Sequence, residues 1–182
     1  MTVVVLDSIG LCVHRSEVGD RAFDFAYQLV RRRNVPLNIF DFLEDPYDPD
    51  VPDSRKLSKE ERDRILVEKE REIRFRYDER LGHYLKAGFR VCEDNEWTEL
   101  HHCLLHREFQ LLVLPCPTED ATFGGRSIQT FAEHFACPTA LIGPDSPDRI
   151  RLNPPAVMVV NQMGLDANQW EPIRPVATPV EL

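Results

Sequence analysis

The sequence predicts an α/β protein: a doubly wound, five-stranded parallel sheet with helices on both faces, followed by a proline-rich C-terminal extension. Short apolar runs without alternation recur along the 182 residues (VVVL, QLLVL, PTALI), as strands covered on both faces require. Between them lie segments with apolar residues at helical spacing, so strand and helix alternate. Seven of the fourteen prolines fall at or after Pro144, which separates an extension, 144–182, from a domain over 1–143.

Thr2 to Leu6 reads as the first strand and Asp7 to Arg15 as the loop after it. Ser16 is placed to cap a helix with the stripe Val18, Ala22, Phe25, Ala26, Leu29 and Val30, and Arg31–Arg33 close it where the dipole is negative. Pro36 to Phe42 (PLNIFDF) reads as the second strand and completes a β–α–β unit. Residues 44–57 open with EDPYDPDVPD, three prolines and five acids in ten residues, and read as an exposed loop. Ser58 and Glu61 have capping-box spacing ahead of a long charged helix over 58–86, with Gly88 ending it. The stripe Leu66, Ile73, Tyr77, Leu81, Tyr84 and Leu85 is expected to dock that helix. Phe89 to Cys92, Gln110 to Leu114 and Pro138 to Ile142 read as the remaining strands, with helices through Leu100–Leu105 and Ile128–Phe135 between them. In the extension, Ala156 to Val160 (AVMVV) reads as one more edge strand.

Composition excludes some functions. A formal charge of −9 argues against general binding to nucleic acid or anionic membranes, which need a basic face. No stretch approaches the roughly 20 apolar residues of a membrane span. The five cysteines are odd in number and scattered, and the first residues lack a signal peptide's basic and apolar regions; both features suit reduced thiols in the cytoplasm.

The run Ser16-Glu17, Arg21-Ala22 and Ala26, then PLNIFDF, resembles the first helix and second strand of universal stress proteins. Gly125 through Ile142 (GRSIQTFAEHFACPTALI) resembles that family's closing segment, with Gly125, His134, Cys137 and Pro138 in the matching places. The resemblance implies a Rossmann-like three-layer sandwich over residues 2–143, and homodimers that pair through the edge strand at Pro138–Ile142. It also implies a site for ATP or AMP beyond the strands' carboxyl ends, with Asp7 at the acid's position near the nucleoside. The phosphate loop departs from the family's pattern. Pro115-Cys116-Pro117-Thr118-Glu119-Asp120 lacks its first two glycines, carries two prolines that donate no amide and adds two acids. Gly124, Gly125, Arg126 and Ser127 remain as an anion-friendly element, although a plain glycine turn with a serine cap is the favoured reading of these residues. The loop after the first strand, counted from Ile9 to Arg15, is about seven residues longer than the family's.

Other chemistry is sparse. His102 and His106 stand four apart on one helical face and are the leading metal candidates, with no third ligand declaring itself, while Cys12 and His14 form a ligand-like pair in the first loop that reads as incidental. No Ser-His-Asp order, nucleophile elbow or P-loop is present, and Glu119 and Asp120 disfavour a Cys116 thiolate. The expectation is a non-enzymatic regulatory or interaction protein of the universal-stress type with lost or altered nucleotide binding and no resident cofactor. Its long helix or its tail would meet a partner protein. The alternative is an ATP- or AMP-binding regulator, or weak ATPase, using the cleft between Asp7 and Gly125–Ser127.

Overall fold

A computed structural model describes residues 4–50, 53–93, 95–146 and 148–174. Its elements are β1 (Ile9–Cys12), α1 (Glu17–Arg33), β2 (Leu37–Phe42), α2 (Lys59–Leu81), β3 (Ala87–Cys92), α3 (Glu96–Leu105) and β4 (Leu111–Pro115), then β5 (Thr122–Phe123), β6 (Arg126–Ser127), α4 (Ile128–His134), β7 (Thr139–Ile142), β8 (Ile150–Leu152), α5 (Pro154–Val157) and β9 (Glu171–Pro172). Short 3-10 turns lie at Ser54–Lys56 and Val160–Met163.

The main sheet has seven strands, not five, in the order β3-β2-β1-β4-β7-β8-β9. The first five are mutually parallel, while β8 runs antiparallel to β7. Alternate residues of each central strand enter two cores. Ile9, Leu11, Leu37, Ile39, Leu111, Val113, Ala140 and Ile142 pack with residues of α1, α2 and the C-terminal segment. Phe40, Phe42, Leu112, Leu114 and Leu141 pack on the opposite face with residues of α3 and α4. This is a three-layer sandwich, doubly wound as expected.

The first strand is displaced from its expected place. Val4 to Ser8 has no regular structure, Thr2 and Val3 lie outside the described residues, and the strand is IGLC. Gly10 weakens that run as a strand by propensity, yet it sits where the sheet has no room for a side chain: a Cβ would lie 3.0 Å from the Phe109 ring. The α2 helix ends at Leu81 rather than residue 86, because Gly82, at φ 56°, caps it with its amide on the Asp78 carbonyl. Gly88 lies within β3, paired with Asn38. Ile73, Tyr77 and Leu81 dock the helix, Tyr84 hydrogen-bonds the Val35 carbonyl, and Leu85 is 94% exposed.

The expected strand over 156–160 is not one. Asn153 accepts from the Ala156 amide, and prolines at the first two helical positions start α5 instead. The extra strand is β8, nearer the core, and Leu152, Ala156, Val159 and Met163 are buried in the α1 and α2 core. Residues 175–182 of the extension lie outside the described residues.

Candidate functional site

After β1 the chain crosses to β2 on one side, and after β4 it crosses to β7 on the other. The ends of β1 and β4 therefore form the topological switch point, where open α/β sheets bind ligands. Asp7 is not there. It precedes β1 at the opposite end of the sheet, exposed, with its amide on Gln110 Oε1 at 2.8 Å. The long first loop disappears with it: Val13, His14, Arg15 and Ser16 alone join β1 to α1. His14 takes the place at the strand's end that Asp7 was expected to hold. Gly19 keeps this turn tight, since a Cβ there would fall 1.8 Å from the His14 carbonyl oxygen.

The chain's own side chains converge on the switch point. Tyr47, from the acidic loop, turns inward and donates its hydroxyl to the carbonyl of Pro115 at the end of β4, 2.6 Å away. Its ring meets His14 edge-on at 4.5 Å and Phe123 at 5.2 Å. The Gly124 amide donates to the Pro46 carbonyl at 2.9 Å, tying the same loop to the β5–β6 hairpin. The loop is thus folded across the strand ends rather than solvated throughout. Asp45 shapes its turn by accepting from the Tyr47 amide, and Glu44 accepts from the Ser54 amide. Burial pushes the Tyr47 phenol well above its ordinary pKa and lowers that of His14, with Asp45 opposing the latter. His14 Nδ1 is 2.7 Å from Ser16 Oγ, and Arg15 pairs with the buried Asp41 at 2.8 Å and with Glu72 of α2 at 3.1 Å.

The glycine element forms a hairpin turn. Gly124 and Gly125 have φ of 65° and 79°, the two positive angles of a type I′ connection between β5 and β6. Ser127 caps the seven-residue α4 by accepting from the Thr130 amide at 3.2 Å. Arg126 is exposed on the hairpin.

The loop after β4 is neutralised from the C-terminal segment. Arg151, buried on β8, reaches the Gly143 carbonyl at 3.1 Å, Cys116 Sγ at 3.4 Å and Glu119 at 3.4 Å. Arg149 also pairs with Glu119 and with Glu171. Although burial opposes ionisation, Arg149 and Arg151 hold the Glu119 carboxyl below its ordinary pKa. Cys116 is buried and its thiol is pushed up to about 11, so it is no nucleophile near neutrality. The other four cysteines are also buried, and none is in a disulfide among the described residues. His102 and His106 do meet, with ring centroids 4.3 Å apart, but no group of three potential metal ligands occurs among the described residues. Likewise no helix among them is long and apolar enough to cross a membrane.

Strand order, switch point and flanking layers define a doubly wound α/β protein with the universal-stress-protein fold. A universal stress family protein from Burkholderia pseudomallei matches at a TM-score of 0.54 and 15% identity, over 76% of this chain and 96% of that one. One from Archaeoglobus fulgidus matches at 0.49 and 15%, over 75% and 93%. No protein-family model and no curated protein matches the chain. At this identity the likeness concerns the fold.

Tyr47, Phe123 and Arg151 were not singled out in the sequence, although two carried signals. Thr-Phe-Gly-Gly-Arg-Ser has the two-glycine form of a tight hairpin. Tyr47 is an aromatic between prolines in an otherwise charged loop, where it must find cover. Arg151 carried none.

Proposed function

We propose that this chain is a non-enzymatic regulatory or interaction protein of the universal-stress type, in which the nucleotide cleft is filled by its own side chains. The observation that carries the reading is Tyr47, bonded to the end of β4 and flanked by His14 and Phe123 at the switch point. The phosphate side supports it. The Gly124 amide and the Ser127 hydroxyl serve internal bonds, and Glu119 places an acid beside that loop. Phe75 and Val67 on the outer face of α2 are 87% and 57% exposed, which supports a role for this helix in meeting another protein. Homodimerisation through β7 is closed in this fold, because β8 occupies its free edge. The homodimer in this reading uses the outer face of α2, and the site of action is the cytoplasm.

Thermal unfolding with and without nucleotide tests the cleft. No change in midpoint is expected at about 5 mM MgATP, a concentration that stabilises any protein binding it with sub-millimolar affinity. A shift that survives Arg32→Gln, a change at the opposite end of the sheet from the cleft, overturns the reading and returns the nucleotide to the cleft.

A further inference from the structure

At the far end of the sheet from the switch point, α1 ends in Arg31, Arg32 and Arg33. Arg32 and Arg33, with Asn161, Gln162 and Gly164, line an open surface depression of about 510 Å³. In a protein with a formal charge of −9, this lining holds two guanidiniums and no carboxylate. Neither arginine takes part in any ion pair among the described residues. Their partners are uncharged. Arg32 Nη2 donates to the Met163 carbonyl at 2.6 Å, and Arg33 Nε donates to that of Leu6 at 3.2 Å. Arg33 also reaches Gln162 Oε1 at 3.3 Å.

These bonds hold the guanidiniums in place and leave positive charge and N–H donors over. Gly164 completes the arrangement. At φ 68° it presents bare backbone to Arg32, and a Cβ there would lie 2.9 Å from Nη2 and 3.0 Å from Cζ. The guanidinium therefore lies flat on the chain, and a ligand need not freeze its long side chain. Asn161 Oδ1 accepts from the Gln162 amide, so the carboxamide's nitrogen is the end left to donate.

We infer that this pocket binds the phosphate group of a small phosphorylated metabolite, with Arg32, Arg33 and Asn161 as the donors. Fixed guanidinium forks beside a carboxamide suit an anion with several acceptor oxygens better than a simple carboxylate. The volume admits a polar body beyond the phosphate. The site is independent of the cleft at the other end of the sheet, so its failure leaves the reading of that cleft untouched.

Calorimetric titration with glucose 6-phosphate and with inorganic phosphate, at constant ionic strength, tests the site. Saturable binding is expected, tighter for the ester than for inorganic phosphate. Asn161→Glu, which leaves both arginines and their carbonyl bonds in place, is expected to weaken it more than about tenfold by setting a like charge against the ligand. Arg32→Gln should weaken it comparably. Absence of saturable binding, or unchanged affinity in Asn161→Glu, overturns the inference. Equal or weaker affinity for the ester overturns its assignment to a phosphorylated metabolite.

Discussion

His14 occupies a position where a change of charge is felt at once. It lies against the Tyr47 ring, accepts or donates at Ser16 Oγ, and has Asp45, Arg15 and Arg76 as its charged neighbours. Burial lowers its pKa, so as pH falls the unfolded chain binds the proton first. Stability tied to the neutral ring is complete above the ordinary value of about 6.5 and is lost as pH falls through the depressed folded value. The wild-type protein should therefore lose more stability than His14→Gln between about pH 7.5 and pH 5.5. Denaturant midpoints at the two pH values check this, and parallel declines would show that His14 does not carry the effect.

At the scale of elements, Asn153 joins more of the structure than any cap requires. Fully buried, its Nδ2 donates to the carbonyls of Ala132 and Cys137 at 2.9 Å, and its Oδ1 accepts from the amides of Thr139 at 2.8 Å and Ala156 at 3.0 Å. One side chain thereby fastens the end of α4, the start of β7 and the start of α5. Asn153→Ala leaves these buried groups without partners, and a loss of about 3–5 kcal/mol is expected in urea unfolding. A loss below about 1 kcal/mol would mean that water replaces the carboxamide.

The elements also show what could be read in advance. The caps Ser16 and Ser58, the helices they start and the strands β2, β4 and β7 were legible, because local spacing and burial agree there. The first strand was not. VVVL outranks IGLC in β-propensity, but IGLC has strand neighbours on both sides, and the tight fit of Gly10 under Phe109 is visible only in three dimensions. One misplaced strand moved Asp7 to the wrong end of the sheet and invented a long loop. Tyr47 and Arg151 escaped for a related reason: residue type alone does not say that a charged or proline-rich segment folds inward.

For the whole molecule, the proposed homodimer raises the question of which face would meet a second copy. The strand expected to pair is already paired, which removes an exposed edge and the association it invites. The outer face of α2 offers Phe75 and Val67 beside Glu70, Arg71, Arg74 and Asp78, an apolar patch rimmed by both charges. Phe75→Glu is expected to shift the protein towards monomer in sedimentation velocity without lowering its melting temperature. Unchanged sedimentation would remove this face from the dimer.

The β8 strand and the turn after it also constrain the order in which the molecule can be completed. Gln162 binds both the Leu6 amide and the Val4 carbonyl, so the two outlying segments are fastened to each other across 156 and 158 positions of the chain. On the ribosome, the five mutually parallel strands are all made before either clasp exists. Until Ile150–Leu152 has emerged, β7 keeps a bare edge, and until residue 163 has emerged the arginines at the end of α1 lack their full set of carbonyl partners on the C-terminal turn. Closure must follow synthesis through residue 163, and a product stalled or clipped before β8 would present to its surroundings the edge that the folded protein conceals.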